Sequence, residues 1–433
     1  MYYYNYRGAN LVSLTPEKDF GPEIAPVTEG RLFALIPGDA ELGRGSFKVN
    51  HPGQLLAGHG LEVLDASRLP ALDSAGPWGE ALMPPPDCRA IPLMVDECVE
   101  QAIAESRLTA VNPSRPGWED VLAWTPRAGK KRVNLLAIGD VGSTLLTGLK
   151  LLGGDVIDSI GICDLSEQIT ARWEFEMGQI SLPWDYGAFP EVEVVSPENL
   201  FDCDMFVFVA SKGIPPVGSQ VKDVRMYQFE NNAKIVAHYA RLAREKRFQG
   251  LWCAVSDPVD PLAKTAYLES NRDGNGVWDG RGLRPEQVQG FGLGVMNARA
   301  AYFAKRDSRL ASFLTEGRSF GPHGTGLWIA NSIEHYDEEI SRELTHLTVT
   351  ANLKMREIGF KPYVAPALSS GALSLLLTLR GAWHCGSVFL DGVYMGVKNR
   401  FTPAGVETEL LPCLPDPLFA HIREAAEHLK EIL

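Results

Sequence analysis

Gly139-Asp140-Val141-Gly142 and Asp164 are the residues whose types and spacing bear most directly on chemistry. Glycines in a tight turn let the backbone approach a pyrophosphate. A helix that starts at the turn faces that charge with free N–H groups. Asp164 follows Gly142 by 22 residues, where an acidic side chain accepts hydrogen bonds from a ribose diol. Together they describe a dinucleotide site, although Ala137 stands where the first glycine is usual. A plain strand-helix turn with a surface Asp would read the same way, so the context must decide. A second cluster, Asn271, Asp273, Asn275, Gly276 and Asp279, is spaced like a calcium loop. Gly282 stands where such a loop needs a bidentate Glu, so a solvated hairpin is the simpler reading. His51 and His59 sit in a loop-rich stretch and read as structural. No metal is expected.

The elements around the glycine turn have the required order. Val133–Ile138 is a short apolar run that predicts a buried parallel strand. Thr144–Leu152 carries leucines at helical spacing, and Gly153-Gly154 stops it. Ile160–Cys163 is the next strand, closed by Asp164. Strand-helix alternation continues. Met205–Ala210, Leu251–Ser256 and Val288–Leu293 read as strands, and Tyr227–Arg244, Pro258–Glu269 and Ala298–Lys305 as helical.

The remaining composition sets limits. The chain has 433 residues, 45% hydrophobic and 22% charged, and a net charge of −13. Such acidity argues against nucleic acid or an anionic membrane as the main partner. No apolar run reaches the ~20 residues that span a bilayer. Seven cysteines without a CxxC pair suggest reduced thiols, and the N-terminal stretch does not look like a signal peptide, so a cytoplasmic protein is expected. Fourteen of the 29 prolines fall before residue 130. Long regular elements should be few there, with a strand at Arg31–Pro37 and a helix at Pro92–Ser106. Residues 1–130 are expected to form an extension of irregular structure packed on the body rather than a free domain.

From about residue 131 onward the chain resembles the lactate/malate dehydrogenase family. The marks are AIGDVG with Asp164, VFVASKGIPPVG, Arg225 seven residues before Asn232, SDPVDPL, GFGLGVMNAR ending at Arg299, and His323-Gly324. The resemblance implies an α/β fold, with a Rossmann-type doubly wound parallel sheet over 131–294 and an α+β catalytic domain over 295–433. It implies NAD as cofactor, held by Gly139, Asp140, Val141, Gly142, Asp164, Ala210, Gly213, Asn232 and Ser256. It implies hydride transfer to or from a small 2-hydroxy or 2-keto acid, and a homodimer or homotetramer. His323 matches the imidazole that takes the hydroxyl proton. Arg225 matches the cation that polarises the carbonyl, and Arg299 the one that holds the substrate carboxylate.

Two positions depart from the family pattern. Met296 replaces the Asp that orients the catalytic His, and Asp257 replaces an Asn near the substrate. Asp257 is therefore expected to have taken over the orienting role and to join His323 and Arg225 as a catalytic residue. Pro215-Pro216 stand where malate-type members carry an additional Arg, which favours a monocarboxylate, lactate-like substrate. One alternative is an NAD-binding protein that kept the fold and lost the activity. Another is an oxidoreductase for an amino- or sugar-derived acid.

Overall fold

A computed structural model describes residues 1–70, 72–74, 91–212 and 224–432, with backbone only at 72–74, 91–94 and 224–226. The chain divides into two compact units. The larger comprises Arg127–Phe389, Val393–Lys398 and Asp416–Leu433. The smaller comprises Met1–Pro126, Leu390–Gly392 and Asn399–Pro415.

In the larger unit six parallel strands form the centre. They are β1 (Lys131–Leu136), β2 (Ile157–Cys163), β3 (Glu191–Val194), β4 (Met205–Phe208), β5 (Leu251–Ala254) and β6 (Val288–Gly290). Their spatial order is 3-2-1-4-5-6, the doubly wound order of dinucleotide-binding sheets. β4 and β5 are buried at every position, which is why they read as unbroken apolar runs. β7 (His384–Leu390) joins β6 antiparallel, with Ser387 opposite Gly290.

Each strand delivers the chain to a loop at its carboxyl end, and helices carry it back. α1 (Asp140–Leu152) follows β1 and buries Leu145, Leu146 and Leu149. α2 (Glu167–Gly178) follows β2, α3 (Val224–Glu245) follows β4, α4 (Val259–Ser270) follows β5, and α5 (Leu293–Ala304) follows β6. α2 was not anticipated from the sequence. Only Thr170 and Met177 on it are buried, so it lacks a broad apolar stripe. The fold class expected from the sequence is the one observed.

The smaller unit corrects the expectation of an irregular N-terminal stretch. It contains a five-stranded mixed sheet, in the order Tyr2–Tyr6, Ala9–Ser13, Leu32–Leu35, Leu108–Val111, Ser46–Lys48. No proline falls in these five strands. The strand expected at Arg31–Pro37 is present as Leu32–Leu35; the other four have only three to five residues, and LTAV is buried throughout, so no alternation betrayed it. The anticipated helix is shorter, Glu97–Ala104, and begins after a strand at Ile91–Val95.

This unit is completed by residues from far along the chain. Lys48 Nζ donates to Glu407 Oε2 at 2.8 Å, with side chains only 4% and 6% exposed. Thr109 Oγ1 donates to the Ala404 carbonyl, and Asn50 Nδ2 to Glu407 and to the Thr408 carbonyl. A buried ammonium left without its carboxylate is strongly destabilising. Glu407→Gln should therefore lower the stability of this unit by about 3 to 5 kcal/mol. Urea unfolding monitored in wild type and variant checks it.

Candidate active site

The glycine turn is built on an unusual backbone. Ala137 adopts φ +77°, the left-handed conformation that glycine takes freely. Its N–H donates to the Cys163 carbonyl at 2.8 Å, and the Ile138 N–H donates to Asp164 Oδ2 at 2.8 Å. Asp164 thus ties the end of β2 to the turn, and its other oxygen accepts from the Ser166 N–H. Gly142 cannot be replaced, because a Cβ there would lie 2.1 Å from the Ala137 carbonyl oxygen. A Cβ on Gly139 would meet nothing within 4 Å. The turn thus leaves open space in front of the α1 N-terminus. Asp140 and Val141 begin the helix, and Asp140 pairs with Lys361 at 3.0 Å.

The next loops are gathered by Asn232, which is fully buried on α3. Its Oδ1 accepts from the Lys212 N–H, while Nδ2 donates to Ser211 Oγ and to the Asp257 carbonyl. Ser256 Oγ donates to the Ala210 carbonyl at 2.8 Å. The loops after β4 and β5 are therefore stitched together. Gly213, Pro215-Pro216 and Gly218 lie outside the described residues. Arg225 stands in the first turn of α3, and its side chain also lies outside them.

His323 is held from three sides. Its Nδ1–H donates to the Gly292 carbonyl at 2.8 Å. A carbonyl can only accept, so Nδ1 carries the hydrogen and Nε2 of the neutral ring carries the lone pair. The His323 main-chain N–H donates to Asp260 Oδ2 at 3.0 Å. Gly292 lets the ring lie close, since a Cβ there would meet the His323 Cβ at 2.5 Å. Ser370 Oγ also donates to the Gly292 carbonyl, at 2.7 Å.

Asp257 lies on the opposite side of the imidazole from the one expected. Its Oδ1 is 3.7 Å from Nε2, beyond hydrogen-bond reach. The expectation that Asp257 orients His323 is corrected: the Gly292 carbonyl does so, from the Nδ1 side. Asp257 instead borders the nitrogen that is free to take a proton, with its side chain 53% exposed. Met296 is buried and touches Arg299, Sδ to Nη1 at 3.5 Å. Burial pulls the Arg299 guanidinium below its usual value, and the charge of Asp257 opposes that fall. Among the described residues no carboxylate forms an ion pair with Arg299. Asn297 turns away, donating to Ser319 Oγ.

Asp260, Ser387, Ser370 and Gly292 were missed from the sequence. Asp260 is fully enclosed. Burial pushes its carboxyl up to about 6, against the Ser387 hydroxyl and the His323 N–H, which favour the charge. The segment spaced like a calcium loop is occupied by its own contacts: Asp279 is paired with Arg244, and Asp273 accepts from the Asn275 and Val277 amides. Among the described residues no group of three or more metal-ligating side chains occurs, and no helix is long and apolar enough to cross a membrane.

The described residues of the candidate site, from Ala137 to His323, belong to one unit. Those of the glycine turn, Asp164, Ala210, Ser256 and Asp257 follow the carboxyl ends of its parallel strands, Asn232 and Arg299 lie on helices, and His323 follows the antiparallel strand Arg318–Phe320. Comparison with known proteins agrees with this arrangement. The chain is 26% identical over 204 residues to an L-lactate dehydrogenase of Treponema denticola, spanning 47% of this chain and 58% of that protein. It is 27% identical over 215 residues to L-lactate dehydrogenase 1 of Bacillus cereus, again over 58% of the relative. The chain is similar to L-lactate dehydrogenases over about half of its length. Among solved structures, the minor L-lactate dehydrogenase of Enterococcus mundtii superposes with TM-score 0.57 at 16% identity, covering 70% of this chain and 97% of the other. The malate dehydrogenase of Archaeoglobus fulgidus in complex with NADH gives 0.56 at 18%, covering 70% and 98%. These likenesses establish the shared fold. No family model matches the chain.

Two measurements test this account. A left-handed alanine costs about 1 to 2 kcal/mol, and glycine returns part of that through unfolded-chain entropy. Ala137→Gly should thus stabilise the protein by about 0.5 to 1 kcal/mol, read by urea unfolding. The Asp260 carboxyl, raised from 3.8 to about 6, keeps in the folded state a proton that the unfolded chain releases. Stability from this group is therefore greatest at low pH and falls as pH rises from 3.8 through about 6. Between pH 4 and 7, wild type should lose on the order of 2 kcal/mol relative to Asp260→Asn.

Proposed function

We propose that the chain is an NAD-dependent dehydrogenase that interconverts a small 2-hydroxy acid and its 2-keto acid, lactate-like rather than malate-like. The observation that carries this reading is the His323 tautomer: Nδ1 is committed to the Gly292 carbonyl, leaving Nε2 as a base beside Asp257. In this reading Nε2 takes the hydroxyl proton of the substrate and returns it in the reverse direction. Arg299 holds the substrate carboxylate, and Arg225 is assigned the role of polarising the reacting oxygen.

The residues present fit a dinucleotide. Gly139 leaves an open cradle in front of the α1 N-terminus, Gly142 brings that helix against the strand, and Asp164 stands at the end of β2 for a ribose diol. When bound, the nicotinamide supplies the hydride acceptor or donor. Ala210 and Ser256 line the loops that would border it, with Asn232 beside them. Asp164 disfavours a 2′-phosphate, and no Arg follows it, so NAD is preferred to NADP. Residues 131–294 form the NAD-binding part and 295–433 the substrate part, and the protein acts as a homo-oligomer in the cytoplasm. Met296 favours a second reading, an NAD-binding protein without activity.

The test is NADH oxidation by the purified protein over a panel of mono- and dicarboxylic 2-keto acids, with NADH and NADPH binding followed by fluorescence. Turnover with a monocarboxylate is expected, with NADH bound more tightly than NADPH. His323→Asn should lower kcat by about 10² to 10⁴ without loss of NADH binding. Tight NADH binding with no turnover of any acid would establish the second reading instead.

A further inference from the structure

We infer that the substrate is a zwitterion, a 2-hydroxy acid with an ammonium group on the carbon next to the reacting one, and that Asp257 binds that ammonium. This rests on the dehydrogenase reading above and names its substrate class.

The placement of Asp257 carries the argument. A hydroxyl that gives its proton to His323 must sit about 3 Å from Nε2. Asp257 Oδ1 lies 3.7 Å from the same nitrogen, so the carboxylate borders the reacting carbon. Its main-chain carbonyl is fixed by Asn232 Nδ2 at 2.8 Å, which sets where the side chain starts. Among the described residues no donor hydrogen-bonds the carboxylate, and half of the side chain is open to solvent. It is therefore available to a ligand.

An ionised carboxylate only accepts hydrogen bonds. The substrate hydroxyl has one proton, and Nε2 takes it. Asp257 needs a further donor, and a simple 2-hydroxy monoanion has none to offer. Bound to such an acid, Asp257 would lose water without gaining a partner, which is costly for an anion. Among the described side chains, the fixed charges in this part of the site are one cation, Arg299, and one anion, Asp257, close enough to act on each other. A molecule with one carboxylate and one ammonium matches both. The oxidation balances without further reagents. The C–H bond gives hydride to NAD⁺, the O–H bond gives its proton to His323 Nε2, and the products are the amino-keto acid, NADH and a proton.

A carboxylate that served only to hold the imidazolium would affect every hydroxy acid alike. Discrimination between two acids that differ by one ammonium separates the two roles. The probes are 3-amino-2-hydroxypropanoate and lactate, tested with the full-length protein in two ways: calorimetric binding to the NADH complex, and NADH formation from NAD⁺. Wild type should bind and oxidise the amino acid at least about ten-fold better than lactate. Asp257→Asn keeps the size of the side chain and removes the charge, and should abolish or reverse that preference. Asp257→Ser serves the same purpose if the first variant melts early. Equal or better binding of lactate by wild type, or a preference that survives both substitutions, overturns the inference. If selective binding is present and lost in the variants but neither acid yields NADH, the zwitterion site stands and the dehydrogenase reading fails.

Discussion

The Gly292 carbonyl is the group on which the chemistry of this site depends. It accepts from His323 Nδ1 at 2.8 Å and from Ser370 Oγ at 2.7 Å, so both of its lone-pair directions are used. Because it can only accept, it selects one tautomer of the ring. Because it lies two residues beyond β6 and caps the start of α5, its position is set by the main chain rather than by a mobile side chain. A carboxylate in the same role would add charge that stabilises the imidazolium. A neutral carbonyl orients the ring and offers only a dipole. The proton is therefore taken by a correctly aimed base that lacks a full anionic partner on its far side.

Two carboxylates flank the ring instead, and their surroundings separate their roles. Asp260 is enclosed, bonded to the His323 amide and to Ser387, and pushed toward the protonated form by burial. It acts on the backbone and fixes where the histidine loop begins. Asp257 is half open and faces Nε2. A buried group shapes the site, while a solvated one can exchange water for ligand. Arg299 completes this set by approaching from α5, with the Met296 sulfur 3.5 Å from its Nη1.

Much of the fold was legible because its signals are local. VNLL, MFVF and LWCA are apolar runs too short for helices and enclosed on both faces, so the parallel sheet showed itself. The glycine turn and Asp164 were legible because a phosphate site requires those residue types. β3 was not: it is an edge strand, EVEV, with one buried residue in four. The small sheet was hidden by prolines that lie between its strands, and by partners such as Lys48 and Glu407 that are 359 positions apart. The orienting carbonyl could not be read at all, since a main-chain oxygen has no letter in the sequence. Asp257 was expected within hydrogen-bond reach of the histidine, yet its Oδ1 lies 3.7 Å from Nε2, because sequence order gives neither distance nor direction.

Met296 is better understood from its contacts than from the residue it replaces. It is 4% exposed and packs in a cluster with Leu293, Val295, Leu327, Ile329 and Leu344. Its sulfur lies 3.5 Å from Arg299 Nη1, and His323 Nδ1 is already bonded to the Gly292 carbonyl. An aspartate at 296 would be desolvated in this cluster, and the guanidinium next to it would be its nearest strong partner. That pairing would neutralise the cation assigned to the substrate carboxylate while adding nothing to the histidine. Restoring the family residue alone therefore works against the site as it is now built. The methionine keeps Arg299 free by being apolar, and the carbonyl of Gly292 makes that possible by orienting His323 without it.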